Sequence, residues 1–579
     1  MNSRQPDLCV GIDFGTTYTG VSWNTPGDNF NGINTIRQWP GEAGLEDKVP
    51  TVLEKDLLLD PKVHEKRLTS DGHEPWAPST IDQLHELVTL YLSQVYTHIS
   101  TKIPELIRAD ADFSLRLRLK TWDSLTIDFI FSTPLTWEAP VAHCFKDIIS
   151  KAGFGEQKLH KVTLGLTEPE AAAVLTCQPK TVGRVHKDDV FLLINAGGEA
   201  TDLAFVKAIA NTAGPLTLAE VNPVSGVGVG FTRIDNQFMK LIDDRIKKHP
   251  KARSELPRNF AFKASQSDDF QCMKRMLGPK IRDWADDDEF VIRVPGLEKS
   301  YRNQGLGIQG GNLSITRQEL ESCFKVPLKE IKGLIKEALG NFEASNRRKD
   351  KVRHVSCVVV SGDLGSSDYV WERLAAHLNV LANEANSCLA GSKVRRVGDD
   401  ARTAVVKGLL HDRRIKADAL REHVAQANYG IIVEEPQPEG SAPSKNAKQY
   451  TADTTIFATD RIRWLVKSGE TIQVGKPITL SITKRLEKSD QRKWAEKIVW
   501  LKSKSSALPK SVKDGWKCGM KELLSVDIEV HKGTKLSSGA PTGWNKTAHD
   551  KCEFELTLAV GPSGDCDVEV SDNVIKRSE

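Results

Sequence analysis

The hydrophobic pattern begins with a short apolar run, Leu8 to Ile12, that reads as a buried strand. It ends in Asp13, a turn at Gly15 and two adjacent hydroxyls, Thr16 and Thr17; a second apolar run, Thr19–Trp23, then returns. The pattern predicts a hairpin. The same layout recurs about 180 residues further on. Val190–Asn195 is apolar and ends in a short polar side chain, the chain passes Gly197 and Gly198, and a strand returns through Leu203–Val206. Two such hairpins predict a duplicated lobe, because internal repeats report architecture.

Between and after them, helix and strand periods alternate. Apolar positions Ile81, Leu84, Val88, Leu92, Val95 and Ile99 predict a helix launched by a capping box at Ser79–Asp82. Val49–Leu53 reads as an edge strand interrupted by Pro50, and 54–78 carry no clear pattern. Ile127–Ser132 and Val162–Leu164 read as strands, with a helix from about Ala142 to Gly153 between them. Glu168-Pro169-Glu170 then opens a helix, with acids and proline where the first turn favours them. A run with glycines at 226, 228 and 230 precedes a helix over Thr232–Lys248, stopped by Pro250. Phe270–Leu277 is helical, Glu289–Val294 and Asn312–Ile315 are strands, and a capping box at Thr316–Glu319 opens a long helix. Val355–Val360 is an all-apolar strand running through Ser361–Ser367 into a helix over Asp368–Leu381. The alternation over 1–425 predicts an α/β fold with mixed sheets.

The texture changes near Ile432, where 434–446 are rich in proline, serine and glycine and read as a linker. Beyond it, Arg461–Val466, Ile478–Ile482, Ile498–Lys502, Leu524–Val530 and Cys552–Ala559 predict a β-rich unit.

Composition adds exclusions. The 579 residues carry 80 basic and 77 acidic side chains, a net charge of +3, so no bulk charge asks for nucleic acid. No apolar run reaches the roughly 18 residues of a membrane span, and no signal-peptide core precedes the first strand. The ten cysteines are scattered without a Cys-x-x-Cys, which predicts free thiols and a reducing, cytoplasmic setting.

The hairpin tips carry the candidate chemistry. Glycine permits close backbone approach to a ligand, successive amides in a tight turn make an anion nest, and a carboxylate suits a hard divalent cation through water. Gly15, Thr16, Thr17 and Asp13 therefore predict half of a magnesium-phosphate site, and Gly197 and Gly198 the other half. The Gly-Ser loop after Val355–Val360, with Gly362 and Ser366, is a third layout of the anion-binding kind, although the same loop serves as a plain strand-to-helix turn. The glycines before Thr232, Gly230 among them, fit a phosphate or ribose site and fit a packing role equally.

Together, Gly11-Ile-Asp-Phe-Gly-Thr-Thr-Tyr18, Thr167-Glu-Pro-Glu-Ala-Ala-Ala173, Asn195-Ala-Gly-Gly-Glu-Ala-Thr-Asp202 and Val358-Val-Val-Ser-Gly-Asp-Leu-Gly-Ser-Ser-Asp-Tyr369 resemble the actin-like ATPase superfamily. The resemblance is strongest to the seventy-kilodalton heat-shock proteins, in a divergent fungal-type branch whose peptide-binding and lid domains are replaced by a shorter β tail. It implies duplicated, ribonuclease-H-like lobes with a nucleotide cleft between them. Lobe I would take about 1–205 and 396–430, lobe II about 206–395, followed by a linker at 431–455 and a β-rich domain at 456–579. It also implies ATP or ADP with Mg as ligands, and unfolded polypeptide or co-chaperone-like proteins as partners. Carried over, Asp13 would hold Mg through water, and Gly15, Thr16, Thr17 and Tyr18 would line the phosphates. Glu168 would order the attacking water, with Asn195 and Asp202 beside it, while Gly197, Gly198 and Gly230 would cradle phosphate or ribose. Lys274 and Arg275 would flank the adenine and ribose, and Gly362 and Ser366 would face the adenosine.

The second tip departs from the family pattern Asp-x-Gly-Gly-Gly-Thr-x-Asp. Its first acid is Asn195, its third glycine Glu199 and its threonine Ala200. Asn195 carries no charge and Ala200 no hydroxyl, while Glu199 brings a carboxylate toward phosphate oxygens and strains the loop if that site needs a positive φ. Phosphoryl transfer rests on positioning and charge stabilisation. The expectation is nucleotide binding with weak or absent hydrolysis. A nucleotide-free scaffold is the alternative, and a sugar-type kinase on the same fold a third reading, with Glu168 or Asp202 as base.

Overall fold

The structure, a computed structural model, describes residues 5–26, 32–41, 45–51, 80–135, 137–209, 216–278, 285, 288–348, 354–414, 419–437, 447–449, 456–486, 492–503, 505, 507–531, 534, 536–538, 550–571 and 574–576. The chain forms two compact units, one of Met1–Thr136 with Ile149–Leu420, the other of Trp137–Ile148 with Arg421–Glu579.

The first unit is built on two sheets. In the first, β1 (Leu8–Phe14) pairs antiparallel with β2 (Tyr18–Asn24), which also carries β3 (Asn34–Thr35) and β4 (Lys48–Pro50). On its other side β1 runs parallel to β5 (Ile127–Thr133), and β5 to β6 (His160–Thr167). The order is β3-β2-β1-β5-β6. Every residue of β1 is buried, which is why it reads as an unbroken apolar run instead of an alternation.

The second sheet repeats this plan. β7 (Val190–Ala196) pairs antiparallel with β8 (Thr201–Ala208), which carries β9 (Leu218–Glu220) and β10 (Ser225–Val227). β7 runs parallel to β14 (Val355–Ser361), and β14 to β15 (Lys393–Arg396), with a small sheet of β11 (Glu289–Arg293), β12 (Ile308–Gln309) and β13 (Asn312–Thr316) between them in sequence. In both sheets a hairpin's first strand takes a parallel neighbour, and a further parallel strand follows. The expected lobe border at 205/206 therefore falls inside β8, whereas the sheets divide before Val190, because β7 and β8 are one hairpin.

Each sheet's last strand leads to a helix that crosses to the other sheet. α2 (Glu168–Thr176) follows β6 and packs on β7 and β8; α7 (Ala404–Arg414), which follows β15, packs on β1 and β2. α1 (Ile81–Ala109) precedes them in the chain, and α3 (Phe231–Lys248), α4 (Asp268–Met276), α5 (Arg317–Arg348) and α6 (Asp368–Ala382) lie between them. α2 and α7 meet with almost no gap. A Cβ on Gly408 would lie 1.8 Å from the Ala171 carbonyl oxygen, and one on Gly11 would lie 2.9 Å from that of Val406. Ala171, Ala172, Ala173, Val405, Leu409 and Leu410 join Leu193 and Ala204 in one buried core. A second core gathers α3, α5 and α6 around Phe205, Phe238, Phe324 and Phe342, where the Phe205 and Phe342 rings stack at 4.5 Å.

The capping signals locate the helices closely. The Thr316 amide donates to Glu319 Oε2 at 2.9 Å, and the Glu319 amide to Thr316 Oγ1 at 3.2 Å. α1 is capped by Thr80, whose Oγ1 accepts from the Gln83 amide, a correction to the expected box at Ser79, which lies outside the described residues together with Val52–Pro78. No described helix is long and apolar enough to cross a membrane.

In the second unit, β16 (Leu420–Val424) leads into β17 (Asn428–Pro436), a central strand between β19 (Ile456–Val466) and β22 (Lys493–Leu501). This corrects the linker expected at 431–455. The apolar stretch Tyr429–Val433 is strand, and the strand continues to Pro436 before the proline-rich segment, of which 438–446 lie outside the described residues. The sheet is completed by β18 (Ala447–Gln449), β23 (Lys521–Val530) and β27 (Val574–Lys576). β20 (Thr471–Gln473) pairs with β16, while β21 (Ile478–Leu486), β24 (Ser537–Ser538), β25 (Asp550–Val560) and β26 (Cys566–Val570) form another sheet. Ile431, Trp500 and Val526 of one sheet and Leu486, Phe554 and Leu556 of the other share a core.

The α2–α7 crossing predicts its own test. Gly408→Ala must push a methyl into backbone, so it lowers the first unit's stability by about 1–3 kcal/mol, read as an earlier denaturation midpoint in tryptophan fluorescence. An unchanged midpoint contradicts the close crossing.

Candidate functional site

The first hairpin tip is closed by backbone alone. The Gly15 amide donates to the Tyr18 carbonyl at 3.1 Å, and a Cβ on Gly15 would stand 2.2 Å from that oxygen, so only glycine makes this turn. The Thr51 amide donates to the Thr17 carbonyl at 2.9 Å and ties the tip to the end of β4. Asp13, at the end of β1, is 4% exposed. It accepts from Lys48 Nζ at 3.0 Å and from Ser132 Oγ at 3.1 Å. Burial disfavours the Lys48 charge, but the Asp13 and Asp363 carboxylates outweigh it and raise the lysine's pKa above its ordinary value. The pair is a charged, desolvated contact at the base of the tip.

The second tip is held from behind. Asn195 ends β7 opposite Asp202 on β8 and Ser361 on β14. The Thr232 amide, at the start of α3, donates to the Gly198 carbonyl at 2.9 Å, and the Phe231 amide to that of Gly197 at 3.4 Å. Asp202 is buried, and its Oδ1 has no hydrogen-bond partner among the described residues. Burial, reinforced by the nearby Glu168 carboxylate, pushes its pKa well above the usual carboxylate range. A carboxyl so placed favours its protonated form.

The two tips touch. A Cβ on Gly198 would lie 2.1 Å from Thr17 Oγ1, and Thr16 Oγ1 donates to Glu199 Oε2. Glu199 is not among the residues with positive φ, so the strain expected there is absent. The third loop closes a side of the same space. Gly362 has φ 89°, and its Cβ position lies 2.2 Å from the Ala196 carbonyl, so the loop is pressed onto the end of β7. Asp363 accepts from Arg402 Nε at 3.1 Å. Tyr18 lies between two guanidinium groups, with Arg275 5.5 Å and Arg402 5.8 Å from its ring centre, and Arg275 also donates to the Tyr18 hydroxyl.

These elements line one cleft with a free volume of about 90 Å³, narrower than the roughly 300–1,000 Å³ of small-molecule sites, as the touching tips require. Asp13, Gly15, Thr16, Thr17, Tyr18, Glu168, Asn195, Gly197, Gly198, Asp202 and Gly362, all singled out in the sequence, lie on it. Four others do not. Gly230 packs on the second tip, with a Cβ position 2.4 Å from the Gly198 carbonyl carbon. Ser366 Oγ turns back to the Asp363 carbonyl at 2.6 Å. Lys274 is buried, donates to Asp235 Oδ1 at 2.5 Å and sits 4.9 Å from the Phe231 ring centre, so it is a core ion pair and lines no part of the cleft. Arg275 reaches the cleft's edge only through Tyr18.

Three charged lining residues, Lys48, Asp363 and Arg402, were not singled out in the sequence. Lys48 precedes the Val49–Pro50 strand signal, and a basic residue beside a proline-broken strand was its only mark. Asp363 was visible within the Gly-Ser loop, but Arg402 sits in no motif. The lining carries the acids Asp13, Glu168, Glu199, Asp202 and Asp363 against the cations Lys48 and Arg402. No group of three or more His, Cys, Asp or Glu among the described residues is placed to hold a metal ion by itself.

Residues 423–563 match a family described as a domain of unknown function (DUF8568). No curated protein matches the chain.

The Lys48–Asp13 pair predicts a stability defect. Lys48→Met leaves Asp13 buried without its cation and costs about 3–5 kcal/mol; adding Asp13→Asn recovers much of that loss in denaturant titration. Equal loss in single and double variants contradicts the pairing.

Proposed function

We propose that the first unit is a heat-shock-70-like clamp for an adenine nucleotide, with little hydrolysis, and that its two sheets are the duplicated lobes of an actin-like fold. The observation that carries this is the repeat itself: two sheets of the same strand plan present like hairpin tips to one cleft. Gly15–Tyr18 and Gly197–Gly198 line it together, turn backbone and hydroxyls of a kind suited to phosphate, although the Gly15 and Gly197 amides are already bonded to the Tyr18 and Ala200 carbonyls. Lys48 stands behind Asp13 as the cleft's buried cation. Tyr18 and the Gly362 loop supply the wall against which a nucleoside would lie.

The donor set also fits magnesium in company with phosphate. With Asp202 toward its neutral form, four carboxylates against two cations still disfavour a bare polyphosphate, so the anion would enter with its metal. Asp13 would hold that ion through water, and the metal would supply charge neutralisation at the phosphates. The residues for hydrolysis are thin. Asn195 offers no base, Ala200 no hydroxyl, and Asp202 favours its neutral form, which leaves Glu168 to orient a water.

A nucleotide-free scaffold is the second reading, and the contact between the tips favours it. Thr17 against Gly198 and Thr16 on Glu199 close the space a phosphate would take. The resemblance alone suggests a chaperone-like role in the cytoplasm, with unfolded polypeptide or co-chaperone-like partners. A sugar kinase has no support beyond the two carboxylates Glu168 and Asp202.

Calorimetry with ADP and ATP, each with and without Mg, decides between clamp and scaffold. The clamp binds at least one nucleotide in a Mg-dependent manner and turns ATP over slowly, and Asn195→Asp raises turnover by roughly tenfold or more. Absence of binding to either nucleotide leaves the scaffold. Turnover in the unaltered protein equal to that of Asn195→Asp contradicts the loss of hydrolysis.

A further inference from the structure

The second unit carries a basic face with one exposed aromatic ring on it. Between β22 and β23 the chain forms a short helix, α8 (Val512–Lys517), laid on the outer side of the sheet. Val512 packs there with Ile462, Val499, Leu501 and Met520, whereas Ile498 and Trp500, which alternate with Val499 and Leu501 along β22, face the core shared by the two sheets. Gly515 is buried, with a Cβ position 2.7 Å from Met520 Sδ, and Ser511 Oγ accepts from the Asp514 amide at 3.2 Å at the start of the helix. The next side chain, Trp516, turns outward and is 46% exposed, the only exposed tryptophan among the described residues. It is not part of the cluster beneath. Lysines surround it. Lys513 and Lys517 flank it on α8, Lys510 precedes the helix, Lys502 follows β22 and Lys521 opens β23, and all five are exposed. Lys517 has Asp514 at 3.6 Å, while Lys521 and Lys502 share Glu138 at 3.0 and 3.9 Å. Met520, beside Lys521, packs on Gly515 and joins both groups into one face, so five lysines stand against two carboxylates.

We propose that this face docks on an anionic lipid bilayer, with the Trp516 ring at the level of the headgroups and the lysines against the lipid charge. The face shares no residue with the cleft of the first unit. The kind of charge selects the partner. No arginine occurs between Arg492 and Arg577, so the face lacks the planar fork that grips a single phosphate or carboxylate bidentately. Lysine ammonium groups on flexible stems respond to the density of negative charge instead. A single-stranded nucleic acid stacks successive bases on several aromatic rings, and here Trp516 stands alone on the face. A bilayer surface asks for what is present: a group of cations to meet anionic headgroups, and a ring with an apolar body and one N–H donor for the interface. A contact of this size is peripheral, reversible and weakened by salt.

Co-sedimentation of the full chain with vesicles tests this, using pure phosphatidylcholine and phosphatidylcholine with about 30% phosphatidylserine, at about 0.05 M and about 0.5 M salt. The protein pellets with the anionic vesicles at low salt, and stays in the supernatant with neutral vesicles and at high salt. Lys513→Gln combined with Lys517→Gln lowers the affinity for anionic vesicles by about tenfold or more, and Trp516→Ala by about threefold or more. The three side chains are exposed, so the denaturation midpoint of each variant stays that of the unaltered protein. Brominated phosphatidylcholine in the anionic vesicles quenches tryptophan emission of the unaltered protein and not that of Trp516→Ala. Absence of sedimentation with anionic vesicles overturns the proposal, as does equal sedimentation with neutral ones. Anionic binding that survives all three substitutions also overturns it, since the contact then lies on another face. Binding to single-stranded DNA or to polyglutamate that the substitutions abolish, with no vesicle binding, gives the face to an acidic macromolecule and overturns the bilayer.

Discussion

The cleft depends on one helix crossing. α2 and α7 each leave one sheet and pack on the other, and they meet where Gly408 offers no side chain to the Ala171 carbonyl. Backbone approaches this close need glycine, and a buried crossing of small residues leaves little freedom in spacing or angle. The distance between the two sheets is thereby fixed from inside. Because β1 and β7 are the strands these helices cover, the crossing also places the two hairpin tips that end those strands. Asp13, Thr16 and Thr17 come to face Gly197, Gly198 and Glu199 as a consequence of core packing and not of any contact in the cleft itself.

Within the cleft, charge is arranged unevenly. The first tip has a buried ion pair, Lys48 with Asp13, and an array of hydroxyls and amides. The facing half carries a neutral amide at Asn195, a carboxyl at Asp202 that burial keeps toward its protonated form, and Glu199 reaching across to Thr16. One half presents hydroxyls beside a buried ion pair, while the other offers no charged side chain at Asn195, no hydroxyl at Ala200 and the Glu199 carboxylate at the junction. Binding and turnover are separable properties of such a site, since hydrolysis needs a positioned base and binding does not.

Much of this was legible from residues alone. The strands β1, β7 and β14 are buried on both faces, so their apolar runs needed no tertiary information to recognise. The capping box at Thr316–Glu319 is local chemistry and was visible for the same reason. What the sequence hid is set by the third dimension. Lys274 and Arg275 are neighbours in the chain, but one helical step turns them apart, one into a core ion pair with Asp235 and the other toward Tyr18. Lys48 and Arg402 lie far from the tips in sequence and reach the cleft only because β4 pairs with β2 and because the segment before α7 folds onto the Gly362 loop. Gly230 shows the ambiguity of glycine, which marks close approach without saying to what: here it is backbone of the same protein. The part of the Asn428–Pro436 strand from residue 431 was assigned to the linker because the acidic, proline-containing end of the run outweighed its apolar start.

The claim that the cleft is a nucleotide site is tested most directly by amide hydrogen exchange of the full chain with and without Mg-ADP. Occupation of the cleft slows exchange at Gly15–Tyr18 and Gly197–Ala200 together, since one ligand must touch both tips, while the Trp494–Trp500 strand of the second unit stays unchanged. Unaltered exchange at both tips under saturating Mg-ADP contradicts it.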